Sequence, residues 1–445
     1  MIAPARIAAY ETVVAVAAGR ADLPAALAHA RTRLHDERDR ALAGEIATGT
    51  LRWQGAFDHI IEQFARRPPA RLDAEILAIL RTGIFQLLHL DRVPASAVVD
   101  DAVDLARKAG KKSAAGFVNA LLRRVSRERE QLPLPKSPPI DVLSIALSHP
   151  RWLAARWLDR HGFDATAAWA RFNNGPAPLT LRVNTLLTST AALTAALAGA
   201  GVTTEPARFA PNALVVTDGN PLLTPLAHTG QFFVQDEASQ LVGEYVGAAP
   251  GETILDACAS PGGKTTQMAA AMDGRGTIVA TDVRGRRVDL LARTVAQSGA
   301  ANVRVVQADA RAAPAFHPVF DAILIDAPCS GLGTIRRDPD VRWRRSESDL
   351  ATLADRQREM LASLATIVRP GGRLVYSTCS SEPEENEAVV QDFLAAHPEF
   401  RRETPPAFAN GAELRGLLDE DGALKTLPFR DGLEAFYAAR MVRHG

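Results

Sequence analysis

Cysteine is scarce in this chain, with only Cys258, Cys329 and Cys379 among 445 residues. Three thiols cannot build a disulfide framework, and that usage fits a reducing cytoplasm. No uninterrupted apolar run approaches the roughly 20 residues that cross a bilayer, so no membrane partner is expected. The opening Met1-Ile-Ala-Pro-Ala-Arg6 lacks the basic stretch, apolar core and cleavage site of a secretory signal. The ten histidines show no paired ligand spacing, so no metal is expected. Lysine plus arginine balance aspartate plus glutamate at 51 each, which argues against a surface that binds nucleic acid non-specifically. There is no internal repeat and no long low-complexity tract. A monomer that does not bind DNA is expected.

Local charge tells a different story from net charge. Between Arg107 and Arg129 lie eight basic residues, including Arg107, Lys108, Lys111, Lys112, Arg123 and Arg124, against the single acid Glu128. A second cluster runs from Arg336 to Arg345, with Arg336, Arg337, Arg342 and Trp343 directly after the Cys329 loop. Arginine interleaved with an aromatic suits backbone phosphates and stacked bases, so these residues are candidate nucleic-acid contacts, with a solvated helix face as the alternative in each case.

Patterning divides the chain into four stretches. Residues 1–130 carry apolar positions at helical spacing (Ala8–Ala18, Leu42–Leu51, Ile76–Leu90, Val98–Leu105) and predict an all-α domain. Residues 131–142 hold Leu132-Pro-Leu-Pro-Lys-Ser-Pro-Pro139 and predict a stiff linker. Residues 143–240 mix a helix over 145–160 with strand-like runs at 179–183 and 213–217, a small α+β accessory module. From 241 to 445 strands alternate with helices, predicting an α/β doubly wound, Rossmann-like sheet with strands near 253, 276, 303, 322 and 373. Asp256, Asp282, Asp309 and Asp326 follow four of those strands and would line one rim.

Chemistry concentrates at the same rim. Cys329 sits in Asp326-Ala-Pro-Cys-Ser-Gly-Leu-Gly333 and Cys379 in Tyr376-Ser-Thr-Cys-Ser-Ser381, each after a buried-strand pattern. Upstream lies Asp256-Ala-Cys-Ala-Ser-Pro-Gly-Gly-Lys-Thr265. A phosphate-binding Walker loop would need glycine where Cys258 stands, and the dinucleotide pattern G-x-G-x-x-G is absent. What remains is a tight glycine turn with Asp282 available for ribose hydroxyls and Asp309 for an adenine edge. That arrangement suits an adenosine cofactor without phosphates, S-adenosylmethionine above all. The loop residues Cys258, Ala259, Ser260, Pro261, Gly262, Gly263 and Lys264, with Asp326, complete the candidate cofactor set, although Cys258 also fits a small buried residue.

These motifs, with Glu382-Pro-Glu-Glu-Asn-Glu387, Gln235-Asp-Glu-Ala-Ser-Gln-Leu241 and Arg182-Val-Asn184, resemble those of the RNA cytosine-C5 methyltransferases of the Sun/Nol/Nop type. Asp431-Gly432 with Phe436 resembles the family's closing motif, although Leu433-Glu434-Ala435 replaces the aromatics usual there. Val93-Pro-Ala-Ser-Ala-Val-Val-Asp-Asp-Ala-Val-Asp-Leu-Ala-Arg107 and Gly116-Phe-Val-Asn-Ala-Leu-Leu-Arg123 resemble the NusB fold, with Asp100 in place of the more usual asparagine. A NusB-like domain on such a catalytic domain is the architecture of the small-subunit ribosomal RNA methyltransferases of type B. The resemblance implies methylation of a cytosine in 16S rRNA, with RNA as the partner. Transfer RNA as substrate, or a non-catalytic RNA-binding assembly factor, are the alternatives.

Carbon 5 of cytosine is too electron-poor to attack a methyl donor, and adding a thiolate at carbon 6 converts it into an enamine. Local sequence leaves two assignments open. DNA-type enzymes attack with the cysteine of a Pro-Cys pair, here Pro328-Cys329. The resemblance to the RNA family implies Cys379 as nucleophile and Cys329 in product release. The hydrogen bond that attack requires at the ring nitrogen points to Asp326 against the cytosine ring. Its place in the cofactor loop puts Lys264 in contact with cofactor or substrate, with a surface helix-start lysine as the alternative. The base must be unstacked to reach the thiol, so a single-stranded or loop cytosine is expected.

Overall fold

The computed structural model describes residues 2–312 and 317–444, and the chain clusters into two compact units. The first joins residues 1–176 to Ile335–Glu347; the second joins Ala177–Thr334 to residues 348–445.

The first unit is helical. Its opening helices are Pro4–Ala17, Leu23–Arg31, Glu37–Arg52, Gln54–Ala65, Ala74–His89, Ala95–Lys108 and Ala115–Arg127. Asp22 and Asp36 start two of them by accepting backbone N–H bonds as caps. Ala74–His89 is apolar around most of its surface and forms the centre of the core, with Ile76, Ile79, Leu80 and Ile84 buried. Ala95–Lys108 and Ala115–Arg127 each bury one stripe against it, Val98, Ala102 and Leu105 from one and Val118, Leu122 and Val125 from the other.

The proline-rich stretch expected to be a stiff linker lies within the first compact unit. Leu132 and Leu134 pack on the helical core, and the Pro133 carbonyl meets His59 Nε2 at 2.9 Å. Arg151–Asn174, interrupted at Gly162 where φ is 76°, belongs to the same unit. Trp157 and Trp169 stack inside it with centroids 4.2 Å apart.

The arginine cluster after the Cys329 loop also lies in this unit, and its burial corrects the expectation that Arg342 faces RNA. Arg342 is fully buried, donating through Nη1 to Ser148 O at 2.8 Å and Asn174 Oδ1 at 3.0 Å. Trp343 Nε1 donates to Leu51 O at 2.7 Å, and Arg336 lies over the Phe172 ring, 4.2 Å from its centroid. Burial and hydrogen bonding inside the unit account for Arg342, whereas Arg336, Arg337 and Trp343 remain partly exposed.

The second unit carries two sheets. The smaller has four strands, β1 (Thr180–Val183), β2 (Thr203–Pro206), β3 (Ala213–Asp218) and β4 (Phe232–Val234), in the antiparallel order β2-β3-β1-β4. Two of these were not expected: β2 is mostly exposed and polar, and β4 is only three residues long.

The larger sheet contains β5 (Thr253–Asp256), β6 (Thr277–Asp282), β7 (Val303–Gln307), β8 (Phe320–Asp326), β9 (Val368–Thr378), β10 (Phe400–Arg402), β11 (Leu424–Lys425) and β12 (Tyr437–Arg443). Its order β10-β12-β9-β8-β5-β6-β7 is parallel from β7 to β9 and antiparallel at β12 and β10. The expected doubly wound core is present, and the antiparallel strands make the sheet mixed.

Arg373, near the start of the central pairing of β9, holds the catalytic sheet to its neighbouring helix. It forms a two-pronged ion pair with Glu252, at 2.6 and 2.7 Å. It also donates to the Val246 and Gly247 carbonyls at the end of helix Glu237–Val246, both at 2.8 Å. Arg373→Met strands the Glu252 carboxylate and those carbonyls. A loss of about 3 kcal/mol is expected, the cost of breaking a largely buried pair from one side. The check is the urea midpoint of the variant; a midpoint equal to the wild type would show that this anchor carries no stability.

Candidate active site

Parallel strands deliver their carboxyl ends to one rim, and the loops after β5, β6, β8 and β9 converge there. In the β8–β9 register Asp326 stands opposite Ser377. Ala327 N donates to Ser377 O at 2.8 Å and Gly333 N to Cys379 O at 2.9 Å, so the two loops are stitched side by side. As a result the sulfurs of Cys329 and Cys379 lie 3.4 Å apart. Hydrogen bonding to the Cys379 sulfur, reinforced by burial, holds the Cys329 thiol well above its usual range.

Gly333 cannot be replaced by a residue with a side chain without moving the backbone: an added Cβ would sit 1.9 Å from the Ala435 carbonyl oxygen. Ala435 N returns a bond to Gly333 O at 3.0 Å. The segment preceding Phe436 therefore backs the Cys329 loop, and the departure at Leu433-Glu434-Ala435 leaves this contact intact.

The acidic and basic groups are paired across the loops. Lys264 Nζ donates to Asp326 Oδ2 at 2.7 Å, and Ser377 Oγ donates to Asp326 Oδ1 at 2.9 Å. Burial opposes the Lys264 charge, but the Asp326 carboxylate outweighs it and raises the ammonium above its ordinary range, with Cys379 contributing in the same sense. The ammonium also lies 5.7 Å from the Phe436 ring centroid. Asp256 is fully buried and accepts from Thr265 Oγ1 at 2.7 Å; burial nonetheless pushes its carboxyl up to about 7.

A cleft beside the glycine turn is lined by Cys258, Asp282, Arg284, Arg287, Asp309, Pro328 and Met360, among others. Asp282 ends β6 and accepts from Arg284 N at 3.1 Å. Asp309 is held by Arg311, whose hydrogen bonds lower its carboxyl below the usual range. Burial pushes the Cys258 thiol up, which favours a packed, uncharged sulfur.

Sequence reasoning did not single out the group that ties the thiol loops together from behind. Glu385 is fully buried and accepts from Ser330 N at 2.8 Å, Ser380 Oγ at 2.6 Å and Gln357 Nε2 at 3.1 Å. Ser330 and Ser380 directly follow the two cysteines, and their hydroxyls meet at 3.1 Å. The signal was the acidic run Glu382–Glu387 after the Cys379 motif, although its sequence does not show which glutamate turns inward.

Of the candidate RNA contacts in the helical unit, Arg107, Lys108, Lys112 and Arg123 are exposed. The cluster is less one-sided in space than in sequence. Asp104 pairs with Arg107, Asp73 and Glu75 with Lys111, and Glu128 with Arg124. Arg124 lies over the Phe64 ring at 4.0 Å.

The domains match known families along the chain. Residues 3–127 match the NusB family, 149–222 the ferredoxin-like domain of RsmF/B-like methyltransferases, and 245–442 the 16S rRNA methyltransferase RsmB/F family. The chain is 34% identical over 98% of its length to ribosomal RNA small subunit methyltransferase B of Pseudomonas putida, also covering 98% of that protein. It is 33% identical to the probable ribosomal RNA small subunit methyltransferase B of Bacillus subtilis, over 92% of each chain. This chain belongs to the RsmB/F family of 16S rRNA methyltransferases. The crystal structure of PH0851 superposes with a TM-score of 0.83 at 29% identity, covering 99% of both chains. Among the described residues no helix is long and apolar enough to cross a membrane.

An RsmB/F enzyme is an S-adenosylmethionine-dependent RNA methyltransferase, and the residues present fit that cofactor. The cleft sets the carboxylates of Asp282 and Asp309 among apolar Val283, Pro328 and Met360, with Arg284 and Arg287 beside them; the two carboxylates suit hydroxyl and amino donors. Ser260 Oγ in the glycine turn is buried without a hydrogen-bond partner, as is Asp256 Oδ1 below it. Gly262, at φ 109°, gives the turn a backbone that side-chain-bearing residues rarely adopt.

Two outcomes follow from this geometry. The Asp256 carboxyl is raised in the folded state, so the folded protein binds the extra proton between about pH 4 and pH 7. Stability is therefore expected to fall as pH rises through that window. Asp256→Asn should flatten this part of the profile, which melting curves between pH 5 and pH 8 would reveal. Glu385→Gln replaces an acceptor with an amide that faces three donors, and should cost about 2 kcal/mol or more. It should also slow methylation by loosening the thiol pair; an unchanged kcat would remove Glu385 from the site's support.

Proposed function

We propose that the enzyme methylates carbon 5 of an unstacked cytosine in 16S rRNA through a covalent adduct, with Cys379 as nucleophile and Cys329 in product release. The observation that carries this reading is the 3.4 Å approach of two thiols beside an oriented carboxylate, Asp326. Cysteine is suited to a reversible addition because its thiolate is strongly nucleophilic and leaves again.

Cys379 adds to carbon 6, while Asp326, fixed by Lys264 and Ser377, accepts a hydrogen bond from the amino edge of the ring and orients it, and the neighbouring Lys264 ammonium offsets the negative charge that addition places on the ring. Bound S-adenosylmethionine supplies the electrophilic methyl group that carbon 5 accepts. Carbon 5 then gives up its proton, the carbon–sulfur bond breaks, and the aromatic ring and the Cys379 thiolate are restored.

The asymmetry between the thiols supports this order. Cys329 is held protonated by its hydrogen bond to Cys379, then by burial and by the neighbouring sulfur's charge. Once Cys379 is bonded to carbon, that hydrogen bond and that charge fall away, and Cys329 can release its proton to solvent and accept the one from carbon 5. One proton leaves per methyl transferred, which balances the sulfonium charge consumed. Ribosomal RNA is preferred to transfer RNA as substrate because the NusB-family domain accompanies this catalytic domain in curated relatives that match along nearly their whole length. Exposed Arg107, Lys108, Lys112 and Arg123 are the candidate phosphate contacts of that domain.

With protein-free 16S rRNA and cofactor in vitro, Cys379→Ala should abolish both methyl transfer and adduct, and Cys329→Ala should accumulate a denaturant-resistant protein–RNA adduct. Adduct accumulation in the Cys379 variant would reverse the roles. Bisulfite sequencing of the product identifies the base, and a product without 5-methylcytosine would reject the carbon-5 reading.

A further inference from the structure

The Arg182-Val-Asn184 strand has no part in the chemistry above, yet it is built like part of a site. In β1, Leu181 and Val183 face the small module's own apolar core with Leu193, Leu197 and Phe232. Alternation sends Arg182 and Asn184 to the opposite face. Both are buried: Asn184 Nδ2 donates to Gly230 O at 2.8 Å and Ser298 O at 2.9 Å, pinning the strand's end.

Arg182 Nε donates to Gln235 Oε1 at 2.7 Å, and Nη2 donates to Thr266 Oγ1 at 2.6 Å. A guanidinium has donors only, so the Thr266 oxygen must accept, and its single proton is left for another acceptor. The acceptors in reach are the carbonyls of the glycine turn, Gly262 O at 2.9 Å and Gly263 O at 3.1 Å. Gln235, the second partner of Arg182, closes the same turn from the side: a Cβ on Gly263 would lie 3.2 Å from Gln235 Oε1.

We propose that Arg182 is a positioning residue for S-adenosylmethionine, acting through the Thr266 hydroxyl to fix the Gly262–Gly263 turn of the cofactor loop. The accessory module is thereby more than a spacer, because one of its strands sets the backbone of the cofactor site. Burial pulls the guanidinium down to about 10, with the Glu244 carboxylate opposing, so the strand bears the cost of burying a cation. An apolar side chain would fill the space at less cost but could not fix the direction of the Thr266 proton. The inference rests on the cofactor and not on which cysteine attacks.

The test measures binding of S-adenosylhomocysteine to the full chain by calorimetry, alongside kcat, separate KM values for cofactor and RNA, and thermal midpoints. Thr266→Val keeps the side-chain shape and removes the relay. It should weaken binding and raise the cofactor KM by about tenfold, the loss of one hydrogen bond with a charged partner. The RNA KM should be unchanged, and Thr266→Ser should bind as the wild type does. Arg182→Met should match Thr266→Val, and the double variant should be no weaker than either single one. A folded Thr266→Val protein that binds S-adenosylhomocysteine like the wild type overturns the proposal, and so do losses that multiply in the double variant. Should Arg182→Met fail to fold, the two Thr266 variants decide. Failure of the cytosine reading would show in the modified base, leaving these binding constants untouched.

Discussion

The parallel pairing of β8 with β9 places Asp326 opposite Ser377, and the active-site arrangement depends on that register. Cys329 follows Asp326 by three residues and Cys379 follows Ser377 by two, so neither motif alone brings a thiol to the other. A slip of one residue would turn every side chain of one strand to the opposite face and separate the sulfurs. The register is protected on both faces, since Ile323, Ile325, Leu374 and Tyr376 sit in one apolar cluster and Leu324 and Val375 in another. Cross-loop backbone bonds and the buried Glu385 then carry the alignment beyond the strand ends.

The same economy governs the ionisable groups. Lys264, largely buried, keeps its charge because the Asp326 carboxylate stands 2.7 Å from its ammonium. Asp256, with a hydroxyl donor in place of a cation as its hydrogen-bond partner, is pushed toward the neutral form instead. Burial, against the opposing hydrogen bond from Thr265, sets the direction of the shift at Asp256. A site that must bind a cationic cofactor and a neutral base benefits from one fixed negative charge and one adjustable one.

Much of this was legible in the sequence because strand ends followed by aspartate, cysteine or glycine carry strong local signals. The five parallel strands and both thiol loops fall where hydrophobic runs and motifs put them. Where the reading fell short, tertiary contacts had overridden local pattern. The arginine cluster around Arg342 has the composition of an RNA-binding face, but Ser148, Asn174 and Leu51 supply buried acceptors that only the fold brings near. The proline-rich stretch reads as extended chain, and Leu132 and Leu134 also dock it on a core, a contact that its composition does not show. Of the antiparallel strands near the C-terminus, β10 and β11 were missed because they are three and two residues long, while the seven-residue β12 was not singled out. Glu385 was hidden among acids that share its composition and not its burial.

Why the site should carry two thiols follows from the requirements of the proposed cycle. A nucleophile that adds to carbon 6 must later be expelled, and expulsion needs a proton taken from carbon 5 only after methyl transfer. A permanently ionised base beside the nucleophile would repel its negative charge at the moment of attack. A second thiol avoids this, because the neighbouring sulfur and burial keep Cys329 neutral before the adduct forms. Bond formation at Cys379 removes the neighbouring charge and leaves burial as the main remaining barrier. The timing of proton removal is then set by the state of the nucleophile itself, across 3.4 Å, without a moving part.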